Sequence, residues 1–306
     1  MAETESCLLN LTICISFIYR WAITNIFTRY TRIDLSYKDV IINLNMKAKG
    51  PCIIKEVKLL IGCLLCFTLG WHQTFAQQKY TPANIHSHND YTRDVPFYHA
   101  YNAGAGCIEA DVFLRGKELM VSHDTAHITF NNTLRKMYLE PLQKELAKHP
   151  RPVKLFIDLK ESYVKLLPEL VHELKPLDNY INKGDGQAPL TIVITGDFPP
   201  PALFKNYPSY ILFDDNLQLP YTPEQWKRVA EVSLNFANYS KWKATDILPA
   251  RDEKVLKSVI NAVHIAGKPI RFWAAPDNPA AWKKLMELGV DIINTDKIDE
   301  LVSYMK

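Results

Sequence analysis

Residues 78–306 repeat one pattern, a short apolar run that ends on a polar side chain followed by a longer stretch with helical spacing. Apolar runs of this kind are what parallel strands require when both of their faces are covered. The expected strands are Ala83–His86, Cys107–Phe113, Leu119–His123, Val153–Lys160, Leu190–Thr195, Tyr210–Asp214, Val232–Ala237, Ile270–Ala274 and Asp291–Asn294. The expected helices are Pro96–Ala103, Thr133–His149, Ser162–Leu174, Pro223–Ala230, Glu253–Ala266, Pro279–Leu288 and Asp299–Met305. Asn278-Pro279 and Gly289 bracket the sixth of these with start and stop signals. Repeated βα units predict an α/β protein, a single (β/α)8 TIM-type barrel whose working residues sit at the C-terminal ends of its strands. Nine runs exceed eight by one, so either Phe113–Leu119 turns a hairpin or Val232–Ala237 is irregular. A doubly wound open sheet is the alternative, but no Gly-rich phosphate loop follows the first run.

Charge and cysteines separate this region from what precedes it. Residues 1–77 hold eight of the 36 Lys/Arg and five of the 33 Asp/Glu, which leaves 28 of each for residues 78–306. A neutral region without basic clusters has no footprint for nucleic acid. Five of the six cysteines also precede residue 77, so the later region, with Cys107 alone, cannot form an internal disulfide. Lys47, Lys49, Lys55 and Lys58, the apolar stretch Leu59–Gly70 and the small residue Ala76 resemble the parts of a secretory signal, placed at 46–77. That stretch is too short for a comfortable membrane span. The expectation is a secreted or periplasmic protein with no stable span after processing, and an anchored or lipoprotein form is the lesser alternative. Residues 1–45 make no sense upstream of a signal and are expected to be a start-site artefact, with translation beginning at Met46. The rival reading is a second anchor at Leu8–Ile26, which Arg20 interrupts. N-terminal sequencing of the expressed protein separates these cases.

The polar strand ends carry the chemistry. In C-I-E-A-D-V-F, Glu109 and Asp111 lie two apart on one face, as do His86 and His88 in I-H-S-H-N-D-Y. Two carboxylates on one buried face stay ionised only against a cation, and a divalent metal beside imidazoles resolves the conflict. Asp158 in L-F-I-D-L-K adds a third acid, and Asn89 a neutral amide oxygen. An all-oxygen set suits Mg²⁺ or Ca²⁺ rather than zinc. Lys160, on the face of Asp158, offers a point charge for a phosphate oxygen. Two of His86, His88 and His123 can divide the proton transfers, one taking from the nucleophile and one giving to the leaving alkoxide. Trp273, near the end of a late strand, is a candidate wall of the substrate cleft, with Asp277 close by. Asp296, in N-T-D before the last helix, is read as a helix cap rather than a ligand.

These motifs resemble those of the PLC-like phosphodiesterase superfamily. S-H-N-D-Y is similar to the S-H-N-T-Y of phosphoinositide-specific phospholipases C. I-E-A-D with S-H-D resembles the I-E-L-D and I-H-D of glycerophosphodiester phosphodiesterases. F-I-D-L-K and the closing G-V-D-I-I-N-T-D resemble two of their later strands, and H-S-H-N-D-Y with E-A-D-V looks most like the altered-inheritance-of-mitochondria branch. The resemblance covers about residues 83–300. It implies a TIM-type barrel, a divalent cation held by Glu109, Asp111, Asn89 and Asp158, and acid/base work by His88 (or His86) and His123. The substrate it implies is a small glycerophosphodiester or phospholipid headgroup. The P-E-N motif and the Arg that follow the first histidine of glycerophosphodiesterases are missing, and the later acid is Asp rather than Glu.

Two other classes compete. H-S-H could be the metal pair of an amidohydrolase or histidinol-phosphatase-type phosphoesterase, but T-I-V-I-T-G-D and Y-I-L-F-D-D lack the further histidines that class needs. A non-catalytic phosphate- or glycan-binding barrel would show an eroded acid/base set, and no erosion is visible.

Overall fold

The computed structural model describes residues 79–306. The signal expected at 46–77 and the segment 1–45 before it lie outside the described residues. Nine strands form the sheet: β1 Ile85–Ser87, β2 Cys107–Arg115, β3 Glu118–Val121, β4 Val153–Leu159, β5 Leu190–Gly196, β6 Ile211–Asp215, β7 Val229–Asn235, β8 Ile270–Trp273 and β9 Ile292–Thr295. Eight of them pair in parallel around a ring that β1 closes by bonding to both β2 and β9. The ninth, β3, pairs antiparallel with β2 and stands outside the ring, so the surplus run is the hairpin arm, turned at Gly116 with φ 64°.

The helices are α1 Tyr98–Ala103, α2 Glu140–Lys148, α3 Tyr163–Glu173, α4 Pro223–Trp226, α5 Ala250–Ile265, α6 Pro279–Leu288 and α7 Ile298–Met305. At α6 the Asn278 side chain accepts from the Ala281 amide, and Gly289 ends the helix in the left-handed region. Two expectations need correction. The helix expected over Pro223–Ala230 stops at Trp226, and β7 begins at Val229 rather than Val232. The cause is Arg228, whose guanidinium donates to the carbonyls of Phe204, Pro208 and Ile211 and draws the chain into the sheet. The helix expected over Thr133–His149 opens with a π-turn at Arg135–Leu139. Pro141, inside the first turn of α2, has no amide to continue the α-helical ladder backward.

Alternation divides each strand between two cores. Ile108, Ala110, Val112, Leu155, Ile157 and Leu159 belong to the large cluster between sheet and helices. Cys107, Phe156, Val193 and Ile292 form a separate small cluster inside the ring. The interior is apolar at one end only. In register, Glu109, Phe156 and Val193 align across β2, β4 and β5, and two residues further on Asp111, Asp158 and Thr195 align. The parallel ladder itself therefore lays two carboxylates side by side.

The loop after β1 is held by a buried acid. The Asp90 carboxylate accepts from Ser87 Oγ at 2.9 Å, the Phe97 amide at 2.6 Å and the Tyr138 hydroxyl at 3.0 Å. Those bonds keep Asn89 and Phe97 at φ 48° and 63°, backbone that L-residues avoid. We predict that Asp90→Ala, which orphans three donors, lowers stability by about 2–4 kcal/mol. Urea denaturation of the full chain measures it, and a loss under about 0.5 kcal/mol, typical of a surface change, would refute the role.

Candidate active site

Strand ends from β2, β4, β5, β6 and β8 surround a cavity of about 400 Å³, lined in part by His88, Glu109, Asp158, Lys160, Arg271 and Trp273. Oxygens of Glu109, Asp111 and Asp158 lie within 4.8 Å of one another. Lys160, just beyond β4, places Nζ 2.8 Å from Asp111 Oδ2 and 2.6 Å from Asp158 Oδ2. Burial and the neighbouring Asp158 charge push Asp111 up to about 6, against the pull of Lys160. Burial likewise raises Asp158, with Lys160 opposing it. The set is all oxygen and already attracts a cation, which fits a hard divalent ion.

Gly196 makes room for this cluster. Its φ is +76°, and a Cβ built there would stand 2.0 Å from Asp158 Oδ1 and 2.6 Å from the Leu159 carbonyl. Glycine is required here both by backbone conformation and by the approach of the carboxylate.

The histidines occupy three different settings. His86 is fully buried, with Nε2 2.6 Å from Glu109 Oε2 and 2.9 Å from Arg271 Nη1, and its ring packs edge-on against Phe156. Burial and the adjacent guanidinium lower it to about 4, so the ring is neutral at pH 7 and its Nδ1 has no partner. Glu109 responds in the opposite sense. Burial favours its neutral form, but the His86 hydrogen bond and the Arg271 charge outweigh this and hold it below the usual carboxylate range. His88 lies at the mouth, with Nδ1 2.9 Å from Asp296 Oδ1. Burial disfavours its charge, yet the Asp296 hydrogen bond and the nearby carboxylates win, and its affinity for a proton is raised. His123 follows β3 with an exposed side chain and does not line the cavity. Its neighbour Ser122 donates its amide to the Asp111 backbone carbonyl, which sets the chain at His123 next to the strand that carries Asp111.

The remaining expected residues also find their places. Asn89 donates to Asp296, its amide nitrogen lies 2.9 Å from His88 Nδ1, and the Tyr91 hydroxyl sits 2.8 Å from both Asn89 Oδ1 and Asp111 Oδ2. Asn89 is thus one hydroxyl away from the triad. Trp273 lines the cavity and is 42% exposed, so it is a wall rather than a packed core residue. Asp277 instead accepts from Trp282, Thr295 and the Asp296 amide and serves the scaffold. Asp296 does not cap α7, whose N-cap is Lys297 without a side-chain bond; it turns to His88.

Reading the residues in order misses the charges that meet inside the ring. The Arg271 guanidinium reaches Asp214 at 3.2 Å, Glu109 at 3.5 Å and Glu231 at 3.7 Å, and also bonds Ser233 and Asn294. Lys154 reaches Glu231 at 2.7 Å. R-F-W and A-E-V-S-L carried one hint, a charge in the middle of an apolar run.

The AIM6-like phosphodiesterase domain matches residues 74–154, and the Glycerophosphoryl diester phosphodiesterase family matches residues 269–299. The chain is similar to "Altered inheritance of mitochondria protein 6 homolog" of Arthroderma benhamiae, 29% identical over 263 residues, covering 73% of this chain and 84% of the relative. It is 27% identical over 268 residues to "Altered inheritance of mitochondria protein 6" of Eremothecium gossypii, covering 72% and 69%. A glycerophosphodiester phosphodiesterase structure from Parabacteroides distasonis matches 72% of this chain and 95% of its own, at 16% identity and a TM-score of 0.49. The secreted or periplasmic location expected from the leader does not stand, because the relatives are named for altered inheritance of mitochondria and not for export. Among the described residues, no helix is long and apolar enough to cross a membrane.

Two predictions follow from this geometry. His86 takes a proton near 6.5 when unfolded but only near 4 when folded. Between those values the unfolded chain binds more protons, so stability falls as pH drops through that window. Asp111, raised to about 6, acts in the opposite sense over the same window, so the His86 part is read as the pH 7-to-pH 5 change in urea midpoint of wild type minus that of His86→Gln, and no difference between the two would contradict it. Gly196→Ala, which displaces Asp158, should weaken Mg²⁺ binding by about tenfold or more, since misplaced ligands are heavily penalised. Calorimetric titration measures it, and unchanged affinity would show that Asp158 is not a ligand.

Proposed function

We propose that this chain, similar to the altered-inheritance-of-mitochondria branch of the PLC-like phosphodiesterase superfamily, hydrolyses a small phosphodiester of the glycerophosphodiester or phospholipid-headgroup kind. The observation that carries the reading is the convergence of Glu109, Asp111 and Asp158 with Lys160 and His88 at one end of the barrel.

Glu109, Asp111 and Asp158 would hold Mg²⁺ or Ca²⁺, with the Tyr91 hydroxyl and, beyond it, the Asn89 amide oxygen as neutral neighbours. When bound, such an ion polarises a phosphoryl oxygen and offsets the charge that develops on it. Lys160 would then be drawn from the carboxylates toward a second phosphoryl oxygen, a role a compact ammonium fills well. His88 is oriented by Asp296 through Nδ1, which leaves Nε2 to take a proton from an attacking hydroxyl or water. His123, on the rim, supplies the proton to the leaving alkoxide. His86 does not exchange protons in this scheme: buried and neutral, it donates to Glu109 and would hold that carboxylate in orientation for an ion. The Arg271 guanidinium, 2.9 Å from His86 Nε2, leaves no place for a metal at that nitrogen.

The test is hydrolysis of bis(p-nitrophenyl) phosphate and of glycerophosphodiesters, with and without EDTA. EDTA should abolish turnover and Mg²⁺ or Ca²⁺ restore it. Glu109→Ala, His88→Ala and His123→Ala should each lower kcat by about a hundredfold or more, the range for a lost general acid or base. Metal-independent turnover, turnover that survives these substitutions, or no turnover of any diester would each overturn the reading.

A further inference from the structure

We infer that Tyr91 and Asn89 are positioning residues for the base rather than members of the metal set: the Tyr91 hydroxyl fixes the Asn89 side-chain amide, and that amide fixes the Asp296 carboxylate on which His88 is oriented. The roles of ion and base rest on the phosphodiesterase reading above.

The first support is a chain of contacts that ends on His88. Tyr91 Oη lies 2.8 Å from Asn89 Oδ1. The other end of the same amide, Nδ2, donates to Asp296 Oδ1 at 3.3 Å, and His88 Nδ1 lies 2.9 Å from that oxygen. Asn89 and His88 thus converge on one carboxylate oxygen. A second hold is needed there, because the side chains of His88 and Asp296 are 34% and 55% exposed. An exposed pair tied by a single contact is weakly held.

The second support is a count of protons. Tyr91 Oη also lies 2.8 Å from Asp111 Oδ2, and a phenol has one proton for these two acceptors. Asp111 Oδ2 already faces the Lys160 ammonium at 2.8 Å. Among the described residues, Asn89 Oδ1 has Tyr91 alone. With Asp111 engaged by a cation, whether Lys160 or a divalent ion in its place, the hydroxyl proton is free for Asn89. Turning Oδ1 onto an ion, as the resemblance implies, would surrender that bond.

The third support is the backbone. Asn89 has φ 48° and ψ 35°, a left-handed conformation that asparagine tolerates better than most residues. Its carbonyl accepts from the Thr92 amide at 3.0 Å and the Thr92 hydroxyl at 2.8 Å. Asp90, between Asn89 and Tyr91, is the buried acid that ties this loop to Ser87, Phe97 and Tyr138. Both side chains are therefore presented from an anchored turn.

The test measures Mg²⁺ binding and diester turnover on the full chain. Tyr91→Phe removes only the hydroxyl, and Asn89→Gly removes the amide from a backbone that glycine adopts freely. In calorimetric titration each should bind Mg²⁺ within about threefold of wild type, while Asp158→Asn loses about tenfold or more. At saturating Mg²⁺ each should lower kcat about tenfold with KM held within about twofold. The double variant should be no slower than the slower single one, because the hydroxyl acts through the amide; independent structural losses would multiply. A tenfold loss of Mg²⁺ affinity in Tyr91→Phe or Asn89→Gly, an unchanged kcat in Tyr91→Phe, or losses that multiply would each overturn the inference. Should Asn89→Gly not fold, Tyr91→Phe decides alone by its affinity and its kcat. If Asp158→Asn and Asn89→Gly both lose the ion, the metal reading stands and this inference falls. If Asp158→Asn binds Mg²⁺ as wild type does, the metal reading falls and takes this inference with it. If no diester is turned over, the hydrolase reading falls, and the Mg²⁺ titrations decide the place of Asn89.

Discussion

The interior of the barrel is organised around one cation. Arg271 is buried in β8 and its guanidinium touches carboxylates from three other strands, together with His86, Ser233 and Asn294. Carboxylates cannot be stacked inside a ring of strands without such a partner, since each unpaired charge in that setting costs several kcal/mol. Arg rather than Lys suits the position because its planar fork can face several acceptors at once. Its contact with the Phe156 ring, 5.5 Å from the centroid, joins the charged layer to the apolar floor. Arg271 adds to burial in keeping His86 neutral and to the His86 hydrogen bond in keeping Glu109 ionised.

From this centre the barrel grades along its axis. Cys107, Phe156, Val193 and Ile292 fill one end as an ordinary core, and burial pushes the Cys107 thiol up to about 12, leaving it inert. Above them come Glu109, His86 and Arg271, paired and dry. Above those, Asp158 and Lys160 sit half-open to the cavity, with Asp111 buried beside them. The exposed layer is thus built on a layer whose electrostatics are already settled, which fixes ligand geometry without requiring every member to be buried.

Much of this was legible along the chain, and the limits have physical causes. Glu109, Asp111 and Asp158 could be read because strand alternation is local, and the aligned register of β2 and β4 then placed them together. The surplus run was identifiable as a hairpin candidate because Gly116 sits between two short apolar arms. The Arg271 network could not be read, since its partners lie on strands whose neighbours are set by ring closure and not by sequence distance. Asp296 was mistaken for a cap because its position fits one; only the folded barrel brings β1 and β9 together and offers it His88 instead.

Gly196 belongs to no list of chemically active side chains, yet its lack of a side chain is what the triad is shaped around. The volume a methyl group would take at the end of β5 is the volume the Asp158 carboxylate occupies. Part of the specification for an oxygen-ligand site is therefore carried by a neighbouring strand as reserved space. A comparison of related sequences that weighs only acids, amides and imidazoles would miss a position whose change to any larger residue deforms the site while every ligand stays in place in the alignment.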